Sequence, residues 1–570
     1  MSSGKLEVNK DQPHIIRAFI EDLNNCISEI RISLYDLFNA FRTNKITGKP
    51  REYALRLFDE WIYGSQLPKF SEVLGFTKVV FEKSTSIKEI HSKLIDKLPF
   101  GKKVIERFVD GVEADRKRGG NLEDVLIGRL WEVYETNVSN FLQQTAHVII
   151  SRLLLYKVGL DKKVFDQITL PTPPRPYLKF YNNVRESMEK LASGIYFLSE
   201  FDWWYIPDVY RGTLSSHQQV QLHNIEDKLD VALAHANKIL ETYNFAYVDR
   251  DVWKDVYLFY LSEDERRRLG FVPTPDEIVE LILDLVGYDE SCEGLCQKKM
   301  LDPACGSGTF LVEAILRLRR HLEHEMPCHV TVHMKGMPEW ERKKRMLDII
   351  TEAIHGVDIH PFATFLTALN LLFQLLDLYA EVKDHYPNYI LRLKVVTHDS
   401  LVLEPSLSEY QEELANARLK EAIRRTKEYA EINGMRFHYV VGNPPWGGVL
   451  RGKLGPLGDP KSRKEYSKYK GAFGKFDIYV LFIERGLKWL NEGGILGMIT
   501  QITYLDSGFG RGIVSYIRDN ASITHFVDLS ELGDVIFPGF TNYPAITIMK
   551  KVKPSCNVNL IRIKVGVKKS

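Results

Sequence analysis

From about residue 255 onward, short apolar runs alternate with longer helical patterns. MLDPACG leads into TFLVEAILRLRRHLE and AIHGVDI into PFATFLTALNLLFQLL; LKVVTHDS, FHYVVGNPPW, GGILGMITQ, ITHFVDL and AITIMKK follow. This alternation predicts an α/β fold with a mostly parallel, doubly wound sheet. In such sheets ligands bind beyond the carboxyl ends of the strands. Asp302, Asp358, Asp399 and Asn443 each stand just past an apolar run. The polar chemistry is therefore expected along one edge of the sheet.

The first half of the chain reads differently. Stretches such as IIRAFIEDLNNCISEIRISLYDLFNAF and VSNFLQQTAHVIISRLLLYKVGL carry apolar residues at spacings of three and four, with little Gly or Pro. Residues 1–170 are expected to form a helical domain. PTPPRP at 171–176 cannot continue a helix and opens a connector region, 171–255, in which helical pattern resumes over about 215–245. FDWWYIPDVY (201–210) reads as a packed aromatic cluster. The sheet-forming domain is placed at 256–556, followed by a tail, 557–570.

Charge and cysteine content narrow the setting. The 76 basic and 75 acidic side chains leave a formal net charge of +1, so positive charge for a nucleic-acid partner has to be local. Six cysteines in 570 residues do not make a disulfide framework, which points to a reducing compartment. MSSGKLEVNKDQPH has no apolar signal core, and no run of about 18 apolar residues is evident. The expectation is a cytoplasmic protein without a membrane partner. Cys292 and Cys296, with Cys328 and His329 later, are too loosely spaced for a zinc site, and no metal is expected.

At the cofactor edge, LDPACGSGTFLVEAI (301–315) reads as strand, glycine turn and helix. Gly306 and Gly308 permit a tight turn and close backbone approach, and the amides opening the helix can receive a negative group. The third glycine of the dinucleotide fingerprint is missing. Cys305 reads as a small packed residue rather than a nucleophile. Asp358, at the end of the second strand, is placed for ribose hydroxyls, its alternative being a helix N-cap. Asp399 could accept from the exocyclic amine of a purine. Three strand-terminal acids on one cleft suit a polar nucleoside.

DPACGSG, GVDIHPFA, HDS and NPPW, in this order, resemble the DNA amino-methyltransferases that use S-adenosyl-L-methionine. The cofactor loop ahead of NPPW is similar to the gamma class, the adenine-N6 methylases of type I and type IIG restriction-modification systems. The resemblance covers roughly residues 255–552. It implies a Rossmann-like class I methyltransferase domain preceded by a helical domain, and cofactor contacts from Asp302, Pro303, Ala304, Gly306, Gly308, Thr309, Asp358, Ile359, Asp399 and Ser400. LGFVPTPDEIVELILDLV (269–286) resembles the segment that caps the cofactor; Thr274 and Pro275 match, while Val272 and Pro273 replace the usual aromatic pair.

The reacting end follows from the chemistry. An exocyclic amine is delocalised into its ring, so two acceptors are needed to localise its lone pair. The Asn443 side-chain oxygen and the Pro444 carbonyl can supply them, on a turn whose prolines, Pro444 and Pro445, fix φ and remove competing donors. Trp446 offers a face to a base taken out of the stack. Extrusion costs a few kcal/mol and aromatic stacking returns roughly 1–3 kcal/mol per base, so an aromatic here nearly balances the cost. Phe537, in VIFPGFTNYPAITIMKK (535–551), matches the family position of a second aromatic against the base, its alternative being a core Phe at a strand edge.

Between Arg451 and Lys475 eight Lys/Arg face two acids, Asp459 and Glu465, with five glycines and Tyr466, Tyr469 and Phe473. This reads as a mobile basic loop in which Arg451, Lys461, Arg463, Lys464, Lys468 and Lys470 contact phosphates of double-stranded DNA. Residues 1–250 show no convincing acid followed by Glu-x-Lys, so no cleavage activity is expected. The chain stops about 20 residues past the Phe537 segment, where a target-recognition domain usually follows in the gamma class; a specificity subunit, a fragment or a split gene would account for this. Competing readings are a cytosine-N4 or rRNA guanine-N2 methyltransferase, a protein-glutamine methylase, and a DNA-binding subunit with an inactive methylase fold.

Overall fold

The computed structural model describes residues 6–8, 12–64, 68–98, 100–193, 200–246, 248, 274–323, 336–405, 417–446, 465–473, 476–537, 543–552 and 559–562. The chain divides into two compact units, one built mainly from residues before 263 and one mainly from residues after it.

The first unit is helical. Helix α1 (Pro13–Arg42) opens with proline in its first turn, where a missing N–H costs nothing. Its buried stripe, Phe19, Leu23, Ile27, Ile30, Leu34, Leu37 and Phe41, packs against α2 (Glu135–Asp161) and α3 (Ser216–Glu241). Ser215 and Gln218 form a capping box that fixes where α3 begins. Helix α2 is buried almost all round from Phe141 onward, and its Arg152 meets Asp202 at 2.8 Å. The FDWWY segment is a packed aromatic cluster, as its composition suggests: Trp203 is buried, with its ring 5.4 Å from Phe38 and 5.8 Å from Phe141.

The second unit is an eight-stranded sheet: β1 (Met300–Asp302), β2 (Ile354–Asp358), β3 (Lys394–Thr397), β4 (Phe437–Gly442), β5 (Leu490–Gln501), β6 (Ser522–Asp528), β7 (Pro544–Lys550) and β8 (Asn559–Arg562). The spatial order is β3-β2-β1-β4-β5-β7-β6-β8. Strands β1 to β5 pair in parallel, whereas β7 runs antiparallel to both neighbours. All six residues of β7 from Pro544 to Met549 are buried, and β1 is buried throughout, as expected of strands covered on both faces.

Helices α4 (Asp276–Leu285), α5 (Thr309–Glu323), α6 (Glu339–Ala353), α7 (Pro361–His385), α8 (Ala417–Gly434), α9 (Tyr479–Trp489) and α10 (Arg511–Asn520) accompany the sheet. Among the described residues, α7 alone is long and apolar enough to cross a membrane; it is also buried against α5, α6 and the sheet. The apolar length that could suit a bilayer here serves a protein core. The strand order reverses between β1 and β4. Loops leaving the carboxyl ends of two such strands diverge to opposite faces and open a crevice. Asp302 ends β1, and Asn443 follows β4, at this reversal.

Candidate active site

The turn after β1 is held from three sides. The Asp302 carboxyl accepts the Ala304 amide at 3.0 Å, the Cys305 amide donates to the Val357 carbonyl of β2, and the Gly306 amide donates to Asp358 at 3.0 Å. Gly306 and Gly308 adopt φ of +55° and +90°, and a Cβ on Gly308 would lie 3.0 Å from the Thr367 side chain. Both reasons restrict position 308 to glycine. From α7, Thr367 donates to the Gly306 carbonyl at 2.8 Å and Asn370 to the Ser307 carbonyl at 2.9 Å. These two anchors are absent from the sequence-based candidates, although a signal exists: Thr364, Thr367 and Asn370 interrupt an apolar helix every third residue, which aligns them on one face. Thr309 begins α5 directly after the turn.

The strand-terminal acids occupy different settings. Asp302 is 1% exposed, so only Asp358 and Asp399 of the three expected ligands keep part of their surface open. Burial, opposed by the Ala304 amide and reinforced by the charge of Asp358, pushes Asp302 up to about 8. The buried carboxyl braces the turn rather than lining open space. Asp358 accepts from the His360 and Gly306 amides, at 2.8 and 3.0 Å. Burial raises its pKa against those hydrogen bonds. Asp399 accepts the Leu401 amide at 2.9 Å and the Tyr466 hydroxyl at 2.6 Å, and burial raises it as well. Ser400 donates to the Pro303 carbonyl at 2.6 Å, tying the turn after β3 to the turn after β1. Ala304 and Ile359 are half-buried nearby in the chain. Burial pushes the Cys305 thiol well above its usual range, in keeping with a packed residue.

At the end of β4 the two halves of the site meet. A Cβ on Gly442 would stand 2.7 Å from an Asp302 oxygen, so only glycine lets β4 pass the buried carboxyl. Asn443 follows, half-buried, and its amide nitrogen donates to the Thr274 hydroxyl at 3.2 Å. Its side-chain oxygen has no partner among the described residues. Pro275 caps the start of α4, beside Thr274. Pro444 is buried and Pro445 half-buried. The Trp446 ring meets Phe537 edge to face, centroids 4.9 Å apart at 81°. Phe537 is 2% exposed, and the Trp446 indole N–H is buried without a partner among the described residues. The two aromatics assigned to one pocket are thus in contact, closed on each other.

Of the basic stretch, residues 465–473 are described. Arg451, Lys461, Arg463 and Lys464 lie outside the described residues. Lys468 is exposed and pairs with Glu465 at 2.7 Å, and the exposed Lys470 ammonium lies 5.7 Å from the Tyr516 ring centre. Tyr466 and Tyr469, expected on a mobile loop, are buried; their hydroxyls reach Asp399 and the Leu401 carbonyl. Paired hydroxyls let these two rings pack down without an unsatisfied polar group, while Phe473 is 51% exposed. A cavity of about 380 Å³ lined by Arg485, Trp489, Tyr516 and Lys551 sits near the amino ends of β4 and β5, with Tyr516 shared between its wall and the Lys470 contact. Among the described residues no group of three His, Cys, Asp or Glu side chains is placed to hold a metal ion.

The reversed order around β1 and β4, with an antiparallel β7 inserted beside β5, makes a Rossmann-like, doubly wound sheet. Residues 352–535 match the model of the Eco57I restriction-modification methylase family. The type II methyltransferase M.BstVI of Geobacillus stearothermophilus is 27% identical over 51% of this chain and 43% of its own. The type II methyltransferase M.XhoI of Xanthomonas vasicola is 28% identical over 53% and 45%. The adenine-specific methyltransferase PglX of Streptomyces coelicolor is 29% identical over 47% and 22%. The chain spans less than half the length of each of these relatives.

Proposed function

We propose that this chain methylates the exocyclic N6 amine of adenine in double-stranded DNA, using S-adenosyl-L-methionine, as the modification component of a restriction-modification system. The observation that carries the reading is the Asn443 side chain: its nitrogen is held by Thr274, its oxygen is free among the described residues, and it follows the strand beside the glycine turn. S-adenosyl-L-methionine, when bound, supplies an electrophilic methyl group.

The residues present suit that cofactor. A positive-φ glycine turn opens α5, and Asp358, with three backbone amides, and Asp399, with one amide and the Tyr466 hydroxyl, hold fewer hydrogen bonds than the about four a carboxylate can accept. Asp358 would take ribose hydroxyls and Asp399 the adenine end, with Pro303, Ala304, Gly306, Gly308, Thr309, Ile359, Ser400, Thr274 and Pro275 forming the walls. Asn443 and the Pro444 carbonyl accept from the target amine, so its lone pair is turned out of the ring and toward the methyl donor. Trp446 and Phe537 part to receive the extruded base. Arg451, Lys461, Arg463, Lys464, Lys468 and Lys470 hold the backbone.

The adenine specificity of PglX supports adenine over cytosine. Target choice is assigned to a specificity subunit or to a segment of the kind that the longer relatives carry. The test is nucleoside mass spectrometry of duplex DNA incubated with protein and cofactor. N6-methyladenine is expected; N4-methylcytosine instead would overturn the assignment.

A further inference from the structure

We infer that Thr274 is a positioning residue for Asn443, holding its side-chain amide so that the oxygen, not the nitrogen, faces the amine to be methylated. The inference rests on the proposed methyl transfer and adds a residue to it. Rotation about the last torsion of an asparagine is soft and roughly two-fold, and its two ends have similar shape and opposite polarity. With the nitrogen outward, Asn443 would present a donor to a donor. The turn itself offers no remedy: Pro444 and Pro445 have no N–H, and Gly442 has no side chain. The Thr274 hydroxyl, 169 residues away in sequence, accepts from the Asn443 nitrogen at 3.2 Å.

Thr274 is 8% exposed, so little water reaches it to take over that bond. Its backbone is fixed by Pro275 and by the start of α4, whose residues Ile278, Val279, Ile282 and Leu283 are buried. The acceptor thus sits on a rigid element rather than on a loose loop. A hydroxyl can donate as well as accept; here it accepts, and the end of Asn443 left open is its oxygen. The family position of Thr274 is associated with the cofactor, and a contact with Asn443 gives it a distinct kinetic signature.

The test is steady-state and single-turnover methylation by wild type, T274V and T274S, with melting temperatures to establish folding. T274V keeps the shape and removes the acceptor; kcat should fall about tenfold to a hundredfold, with KM for cofactor and for DNA within about twofold. T274S restores the hydroxyl and should recover most of the rate. In a double-mutant cycle, T274V should add no loss to N443A. A T274V protein with unchanged kcat and a raised KM for the cofactor would overturn the positioning role while leaving the methylation reading intact. A wild-type protein that methylates no DNA would overturn both.

Discussion

Asp302 makes the stability of the second unit pH-dependent in an unusual direction. Its carboxyl is 1% exposed, enclosed by the turn after β1 and by Gly442, and burial pushes its pKa from 3.8 up to about 8. Between those values the folded chain keeps a proton that the unfolded chain has lost. Unfolding free energy therefore falls as pH rises through this window, by roughly 1.4 kcal/mol per pH unit for one proton. From about pH 5 to 8 the loss is on the order of a few kcal/mol. Asp302→Asn preserves the acceptor for the Ala304 amide and removes the titration. At about 2–4 °C per kcal/mol for a unit of this size, wild type should lose several degrees of Tm over this pH range relative to D302N. Asp399 remains in both proteins and cancels in the difference, while the difference includes the interaction of Asp302 with Asp358. Differential scanning calorimetry at half-unit pH steps measures it. Parallel Tm profiles for the two proteins would refute the buried, proton-holding carboxyl.

Three further outcomes are expected. Tyr466→Phe removes the hydroxyl that donates to Asp399; titration calorimetry should give a several-fold weaker affinity for S-adenosyl-L-methionine with the fold intact. Gly308→Ala sets a side chain at φ +90° against Thr367 and should cost about 1–3 kcal/mol, read as a lower Tm. Reversing Arg463, Lys464 and Lys468 to Glu should weaken duplex binding and lower the salt slope of log K by about one per phosphate no longer neutralised; an unchanged slope in fluorescence anisotropy would remove these residues from the DNA surface.

Much of the second unit was legible because its signals are local. Seven of the eight strands follow from apolar runs bounded by turn residues, whereas the strand order, with its reversal at β1 and β4, is set by pairing between distant segments. The antiparallel β7 was hidden: AITIMKK reads as a buried strand in either direction, and direction is set by pairing with β5 and β6. The positions of Asp358, Asp399 and Asn443 at strand ends were legible for the same local reason. Burial of Asp302 was not, because it depends on β4 passing across it at Gly442. Equally hidden were contacts made across sequence: Thr274 with Asn443, and Tyr466 with Asp399. A tyrosine in a glycine- and lysine-rich stretch reads as solvent-facing until a partner for its hydroxyl is known.

The central claim is that Asn443 on its proline turn presents an adenine amine for methylation. Single-molecule sequencing of duplex DNA treated with wild type or Asn443→Ala, with S-adenosyl-L-methionine supplied, addresses it directly. N6-methyladenine is expected for wild type, with a loss of about a hundredfold or more in the variant. Modification of cytosine or of RNA alone, or full activity in Asn443→Ala, would contradict it.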